Sequence, residues 1–359
     1  MLKVELNRRM KKVGICTIND DGNFGNRLQN YAVQEILKKK NINVKTIRKN
    51  RIIDRLKEII KLNIKRYLKK TKYQRQINFF KFNKNIKFEN YNSEKKLNKI
   101  GKKYDIFITG SDQVWNPNFG RMTDVDFLTF ANEEKRNSFS ASFGVSRLPD
   151  NLKEFYTERL EKIKNISVRE KEGKNIVEEL TGRKDVEVLI DPTMMIKAEE
   201  WDKISKKPRK LGNDKYILNY FLGDISKDRK KIIEKVAIEN NCKIINILDS
   251  QDIYYSCGPS EFLYLEKNAF LICTDSFHSS VFAILYNRPF LVFEREDTNE
   301  NMNSRLETLL SKFELQDRKY RGGNIKEKDL KHDYSNSYKI LDVERKKCDE
   351  FLMKILNNN

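Results

Sequence analysis

Histidine and cysteine are scarce in this chain of 359 residues, which has two histidines and five cysteines. The cysteines show no CxxC spacing, and none stands at a short fixed spacing from His278 or His332. This pattern argues against a zinc site built from ligands close in sequence, so we predict no metal and no cofactor. Scattered cysteines of this kind are typical of reduced thiols packed in a core.

Long apolar runs are also missing. No segment approaches the roughly 18 consecutive apolar residues that a membrane-spanning helix needs. The N-terminal sequence MLKVELNRRMKKVGICTI has basic residues but neither the apolar region nor the cleavage site of a signal peptide. The sequence therefore predicts a cytoplasmic protein that does not cross a membrane and at most binds peripherally to its inner face.

Acidic residues are outnumbered, with 52 Asp and Glu against 72 Lys and Arg, which gives a net charge of +20. Half of this net charge, +10, lies between Arg48 and Arg75, a segment that contains 12 basic residues and only two acidic ones. The apolar residues of this segment recur at helical spacing, which predicts an amphipathic basic helix. Such a helix can pack on its own domain or lie on an anionic membrane surface.

Short apolar strands alternate with helical segments along the chain, which predicts an α/β fold with parallel sheets. The pattern restarts at Tyr216, after the basic segment KKPRK. We therefore predict two Rossmann-like domains facing a central cleft. Their predicted bounds are an N-terminal domain at 1–196, a linker at 197–213, a C-terminal domain at 214–335, and a C-terminal helix at 336–359 that can pack back on the first domain.

Small polar loops follow several predicted strands, at Asn23–Asn26, Gly110–Gln113 and Asp275–Ser280. Open α/β sheets bind ligands at the carboxyl ends of their strands, so these loops form the candidate site. Two structural alternatives stay open at this point. The first loop could be a capped turn with Asn26 as the N-cap, and Trp115 could pack in a core instead of stacking on a sugar.

Five motifs follow one another along the chain: NxGNRLQNYAxQ at Asn23–Gln34, GSDQVWNP at Gly110–Pro117, SVRE at Ser167–Glu170, DPT at Asp191–Thr193 and TDSFHSSVFAILYNRPF at Thr274–Phe290. In this order they resemble the polysaccharide pyruvyl transferase family across roughly residues 12–295. The resemblance implies a GT-B-type pair of domains. It also implies transfer of pyruvate from phosphoenolpyruvate to two sugar hydroxyls as a ketal, in the synthesis of a bacterial cell-surface polysaccharide. Many members carry an arginine two residues before the histidine, where this chain has Ser276.

Ketal formation needs a proton delivered to the methylene carbon and a base for the attacking hydroxyl. His278 suits either step because a histidine titrates near neutrality, and Asp112 is an alternative base. Asp275 could orient the histidine or cap the helix that follows it.

Phosphoenolpyruvate carries a phosphate and a carboxylate, which positive groups and free N–H donors at a helix N-terminus can bind. Ser276, Ser279 and Ser280 open a predicted helix and are candidates for this role. The resemblance adds Arg169, which would otherwise be expected in a salt bridge with Glu170.

Amide, hydroxyl and aromatic groups in the loops are candidates for binding a saccharide acceptor, whether soluble or lipid-linked. The residues are Asn23, Gly25, Asn26, Gln29, Ser111 and Trp115.

Two other functions compete with this interpretation. A glycosyltransferase of the same architecture would use the cleft for a nucleotide sugar, since fold alone does not decide function. A nucleic-acid-binding protein would explain the positive charge, but the sequence shows no recognisable binding motif. We therefore predict no nucleic-acid partner.

Overall fold

A computed structural model describes residues 9–20, 22–49, 70–119, 123–295 and 304–357. Most of the predicted basic helix, residues 50–69, lies outside the described residues. The strands are β1 Lys12–Cys16, β2 Asn43–Lys49, β3 Phe88–Tyr91, β4 Ile106–Thr109, β5 Arg136–Ser138, β6 Ser167–Val168, β7 Glu187–Val188, β8 Tyr216–Tyr220, β9 Lys243–Asn246, β10 Leu271–Thr274 and β11 Phe290–Val292. The helices are α1 Phe24–Lys39, α2 Lys70–Phe82, α3 Glu94–Lys103, α4 Asp150–Leu160, α5 Lys171–Thr181, α6 Ala198–Asp202, α7 Lys227–Glu239, α8 Pro259–Asn268, α9 Phe277–Leu285, α10 Ser304–Lys312 and α11 Ser335–Asn357.

The N-terminal sheet is parallel and has the strand order β3-β2-β1-β4-β5. Parallel bridges at Asn137–Asn165 and Ala141–Val168 continue it to β6, which pairs with β7. Strand β4, with the sequence IFIT, is buried at every residue, as expected for a parallel strand covered on both faces. The strand order reverses between β1 and β4, and this is where a doubly wound sheet opens a ligand crevice.

The C-terminal sheet is also parallel, with the order β11-β10-β8-β9. Its order reverses between β8 and β10, so it too has a crevice at the carboxyl ends of two neighbouring strands. The two sheets and their flanking helices confirm the predicted fold class of two Rossmann-like domains.

The two halves share one apolar core. Phe24 at the start of α1 stacks on Phe262 of α8, with ring centroids 4.7 Å apart. Helix α2 also reaches across, because Asn78 donates to the backbone oxygen of Ser256 at 2.9 Å. This packing holds the strand-end loops of the two sheets against each other.

The last helix, α11, contacts the N-terminal half. Arg345 Nε donates to the backbone oxygen of Met194 at 2.8 Å, and Phe351 stacks on Phe139 with centroids 6.4 Å apart. The segment 197–213 contains α6 and is therefore partly helical. The exact domain bounds stay a prediction.

Candidate active site

A cavity of about 400 Å³ lies between the two sheets, at the carboxyl ends of β1, β4, β8 and β10. Both halves line it, so the site belongs to neither domain alone. Its lining residues are Ile18, Asp20, Asn23, Asn26, Asp112, Gln113, Phe119, Tyr220, Leu222, Asp275, Ser276, Phe277, His278, Arg295 and Arg305.

His278 and Asp191 form a buried pair at this cavity. The imidazole Nε2 lies 3.6 Å from Asp191 Oδ2, and the two side chains are 9% and 0% exposed. Burial would raise the pKa of Asp191, but His278 and Arg169 beside it hold that pKa well below its usual range. Asp191 therefore carries a negative charge at neutral pH and places that charge beside the imidazole.

Gly25 lies against the other side of the imidazole ring. A Cβ atom at position 25 would overlap Nδ1 of His278, so a glycine is required for helix α1 to approach this closely. The N-cap of α1 is Asn23, whose side chain accepts from the backbone N–H of Asn26 at 3.1 Å. The loop is therefore a capped turn, but the N-cap is Asn23 and not Asn26, which lies three residues further along.

Asn26 instead donates its side-chain amide to Asp112 Oδ2. The other carboxylate oxygen of Asp112 accepts from Arg169 at 3.3 Å. Burial raises the pKa of Asp112, but Arg169, His278 and Arg305 together lower it below its ordinary value. Asp112 is consequently ionised and is a weak base.

Arg169 is enclosed between two carboxylates and does not line the cavity. Its guanidinium donates to Asp191 at 2.6 Å and to Asp112 at 3.3 Å, and it lies over the ring of Phe277 at 4.3 Å. Burial lowers the pKa of Arg169, but the two carboxylates outweigh it and raise that pKa. The expected salt bridge with Glu170 is not formed, because Glu170 accepts instead from Ser142 and the backbone of Phe143.

The serine hydroxyls at the start of α9 have different partners. Ser279 donates to Glu266 at 2.6 Å and Ser280 donates to the backbone oxygen of Ser276 at 3.1 Å, both within the protein. Ser276 is the N-cap residue, makes no side-chain capping bond and lines the cavity. Of the three predicted serines, Ser276 is therefore the one placed to contact a ligand.

Trp115 is fully buried, and the suggestion that it stacks on a sugar is wrong. Its ring stacks on Phe127 at 5.8 Å, and its Nε1 donates to the backbone oxygen of Asp126 at 3.1 Å. Ser111 and Gln29 are also fully buried. Ser111 donates to Asp191 at 3.0 Å and Gln29 donates to Thr17 at 2.8 Å. Both side chains therefore stabilise the loops from inside the protein and do not reach a ligand.

Asp275 neither orients His278 nor caps α9. Its carboxylate accepts from the backbone N–H groups of Leu222 and Gly223 at 2.7 and 2.8 Å, and from Arg295 Nε at 3.0 Å. It therefore ties the loops after β8 and β10 together. The carboxylate beside His278 is that of Asp191, which the sequence analysis named only as part of the DPT motif. The sequence feature that could have pointed to it is an Asp-Pro pair directly after a predicted strand.

Sequence reasoning also missed Arg305, whose partner Gln113 belongs to the predicted loop Gly110–Gln113. Arg305 lies at the start of α10, lines the cavity and is 8% exposed. In the amide orientation that satisfies hydrogen bonding, the side-chain oxygen of Gln113 accepts from both terminal nitrogens of Arg305, at 2.9 and 3.2 Å. Arg305 follows no strand and belongs to no motif, so no sequence signal pointed to it.

Among the described residues, no three His, Cys, Asp or Glu side chains are grouped so that they could hold a metal ion. Within those same parts of the chain, no helix has the length and apolar character that crossing a bilayer requires.

The protein is thus an α/β protein whose cavity, between two doubly wound sheets, brings together an Asp–His pair and buried guanidinium groups. Such groups can transfer protons and bind anions. The family model for polysaccharide pyruvyl transferase matches residues 23–297. The chain belongs to the polysaccharide pyruvyl transferase family, and it is thus a member of a transferase family.

No protein with a curated description matches the chain significantly. Solved structures with a similar course of the chain include a putative UDP-N-acetylglucosamine 2-epimerase from Listeria monocytogenes, with 11% identity, a TM-score of 0.49, and coverage of 95% of this chain and 91% of that one. Another is Alr3699/HepE from Anabaena in complex with UDP, with 10% identity, a TM-score of 0.48, and coverage of 98% and 100%. The family assignment rests on the family model and not on these similarities.

Proposed function

We propose that this protein transfers pyruvate from phosphoenolpyruvate to two hydroxyls of a saccharide, forming a ketal, as a cytoplasmic step in the synthesis of a cell-surface polysaccharide. The family membership supports the type of reaction. The observation that carries the proposal is the cavity-lining His278 with Nε2 3.6 Å from the ionised Asp191. A histidine held beside a buried carboxylate can both accept and return a proton in general acid–base catalysis.

The reaction requires two hydroxyl additions at the same carbon. Protonation of C3 makes C2 electrophilic, and the first hydroxyl forms an O–C2 bond and releases its proton. The bond between C2 and the phosphate oxygen then breaks, and the second hydroxyl adds to C2. Of the two hydroxyl protons, one replaces the proton delivered to C3 and the other leaves with phosphate, so no other reactant is needed.

His278 is the group we assign to these proton transfers. Asp112 also lines the cavity, but its lowered pKa and its bonds to Asn26 and Arg169 make it a poorer base. In this proposal Asp112 and Arg169 hold the pair in place, Ser276 contacts the donor, and Asn23 and Asn26 face the acceptor. We propose that no divalent metal takes part; activity that is lost in a chelator and restored by one added metal would contradict this.

The acceptor and its location are part of the proposal. If the acceptor is lipid-linked, the segment from Arg48 to Arg75, with its charge of +10, would bring the enzyme to an anionic membrane surface. This rests on the sequence, because residues 50–69 lie outside the described residues.

The test is incubation with phosphoenolpyruvate and a panel of soluble and lipid-linked saccharides, with phosphate release and the mass of the saccharide as readouts. We expect phosphate release that depends on a saccharide, with one pyruvyl group gained per phosphate. Parallel reactions with nucleotide sugars test the competing glycosyltransferase. Consumption of a nucleotide sugar, with none of phosphoenolpyruvate, would favour that function instead.

A further inference from the structure

We infer that Arg305 binds the oxyanion group, carboxylate or phosphate, of the ligand that enters the cavity. The identity of that ligand as phosphoenolpyruvate rests on the proposed function, but the anion site does not. Nothing in the chain's motifs points to Arg305, and the inference comes from its burial, its partners and the charges around it.

Arg305 is held in place by a neutral group. The side-chain oxygen of Gln113 accepts from both terminal nitrogens, at 2.9 and 3.2 Å. The Nε of Arg305 is buried and has no hydrogen-bond partner among the described residues. A guanidinium has five N–H donors, so Gln113 leaves several of them for another acceptor.

Two other charges of the cavity are paired within the protein. Arg295 donates to Asp275 at 3.0 Å, and Asp112 is bound by Arg169 at 3.3 Å. Among the described residues, no carboxylate lies within ion-pair distance of Arg305. Arg305 is therefore a buried cation at the cavity wall that forms no ion pair with a described carboxylate, and the more distant charges of Asp112 and Glu170 offset its burial only in part.

A buried charge that is offset only in part is costly unless a partner arrives. Burial, and after it the positive charge of Arg169, lowers the pKa of Arg305 to about 10, so the group is still charged at neutral pH. An anion in the cavity would supply the missing partner, and a guanidinium can bind carboxylate or phosphate through two parallel hydrogen bonds. The observed arrangement is thus suited to binding an anion with a preformed fork.

A purely structural role makes a different prediction. If Arg305 served only to hold Gln113, its replacement would lower stability without changing anion affinity. The variants R305Q and R305K separate these roles, because glutamine removes the charge and lysine keeps the charge but loses the fork. The matched control is R136Q, since Arg136 is 7% exposed and donates to the backbone oxygens of Ala131 and Thr129, away from the cavity.

The experiment is calorimetric titration of the full chain and these variants with inorganic phosphate, pyruvate, phosphoenolpyruvate and UDP, after circular dichroism has shown which variants fold. We expect R305Q to weaken at least one of these ligands by about tenfold or more, R305K to weaken it less, and R136Q to leave it unchanged. Loss of phosphate affinity assigns Arg305 to the phosphate, and loss of pyruvate affinity assigns it to the carboxylate. If R305Q fails to fold, R305K decides: unchanged affinity for phosphoenolpyruvate in R305K overturns the inference.

The inference is also overturned if a folded R305Q keeps every affinity, or if the unaltered protein binds none of the four anions. Its failure is distinct from failure of the proposed function. An anion site lost in R305Q, in a protein that never transfers pyruvate, upholds the site and rejects the function. Pyruvyl transfer by R305Q with an unchanged KM for phosphoenolpyruvate upholds the proposed function and rejects the anion site at Arg305.

Discussion

His278 is held from two sides by residues that are distant in sequence. Asp191 follows a strand of the N-terminal sheet and lies 3.6 Å from Nε2, while Gly25 of α1 lies against Nδ1. Both belong to the N-terminal half, whereas the histidine belongs to the C-terminal half. The proposed catalytic group therefore depends on the fit between the two halves as well as on its own turn.

The first prediction concerns Asp191. We expect Asp191→Asn to lower kcat by about a hundredfold or more, because an amide cannot stabilise the protonated imidazole as a carboxylate does. The KM for phosphoenolpyruvate should change much less. Steady-state phosphate release measures both, and Asp185→Asn is the control, since Asp185 pairs with Arg183 at 2.8 Å on the surface. A kcat within a few-fold of normal in Asp191→Asn would remove this residue from the mechanism.

The second prediction concerns Gly25. The added methyl group of Gly25→Ala would overlap the imidazole of His278, so either the ring or helix α1 must move. We expect kcat to fall by about tenfold or more, since small displacements of reacting groups are costly. The control is Gly212→Ala, where the nearest atom is an Asp214 carboxylate oxygen at 3.2 Å, far out on a side chain. Equal activity in the two variants would show that the contact with Gly25 is not needed.

Some residue-scale assignments could be predicted from the sequence, and others could not. The segments after β1, β4 and β10 contribute Asn26, Asp112 and His278, respectively, to one cavity, as expected from strand ends at one edge of parallel sheets. The direction of a side chain within such a loop has no sequence signature. The sequence therefore leaves Trp115 open between sugar stacking and core packing, and its ring is buried in the core.

At the scale of elements, helices α8 and α9 are joined by a buried polar contact. Ser279 of α9 donates to Glu266 of α8 at 2.6 Å, and no other described group pairs with the second carboxylate oxygen. Burial raises the pKa of Glu266 well above its ordinary value. The folded protein therefore holds the proton at pH values at which the unfolded chain has released it.

This contact gives the third prediction. Because the folded pKa is raised, the stabilisation is complete below the unfolded pKa of Glu266 and declines as pH rises toward the folded pKa. Glu266→Gln should remove that decline, so its Tm relative to the unaltered protein should be higher at pH 8 than at pH 5.

The control is Glu344, whose pKa is shifted in the opposite direction to that of Glu266. Burial raises the pKa of Glu344, but Lys312 and Lys347 outweigh it and lower that pKa, so Glu344→Gln should lose stability above the unfolded pKa. Thermal unfolding at both pH values measures the differences. A pH-independent Tm difference between Glu266→Gln and the unaltered protein would contradict the assignment.

The fourth prediction concerns the basic segment from Arg48 to Arg75. We expect the protein to float with anionic vesicles and not with neutral ones, because each Lys or Arg near an anionic surface contributes about 1 kcal/mol. Binding should be lost at high salt and after four of these charges are reversed, with four reversals on α7 as the control. Recovery of all the protein in the unbound fraction at low salt would contradict membrane recruitment.

At the scale of the whole molecule, the alternation of strands and helices was sufficient to predict two Rossmann-like domains. Parallel βα units leave a regular pattern of apolar strands and amphipathic helices, and that pattern is local in sequence. The closeness of Asp191 to His278, and of Gln113 to Arg305, depends on how the two halves pack. No local pattern encodes such a contact, which explains why Arg305 was missed and why Asp191 was not paired with His278.

The central claim is tested most directly by following phosphoenolpyruvate labelled with carbon-13 at C2, in deuterated water, with the saccharide panel. We expect the label to become a ketal carbon bonded to two saccharide oxygens, one deuteron to enter the new methyl group, and one phosphate to be released. His278→Ala should show none of these changes at a rate above about one hundredth of normal. A label that stays in phosphoenolpyruvate while a nucleotide sugar is consumed, or an unchanged rate in His278→Ala, would contradict the account.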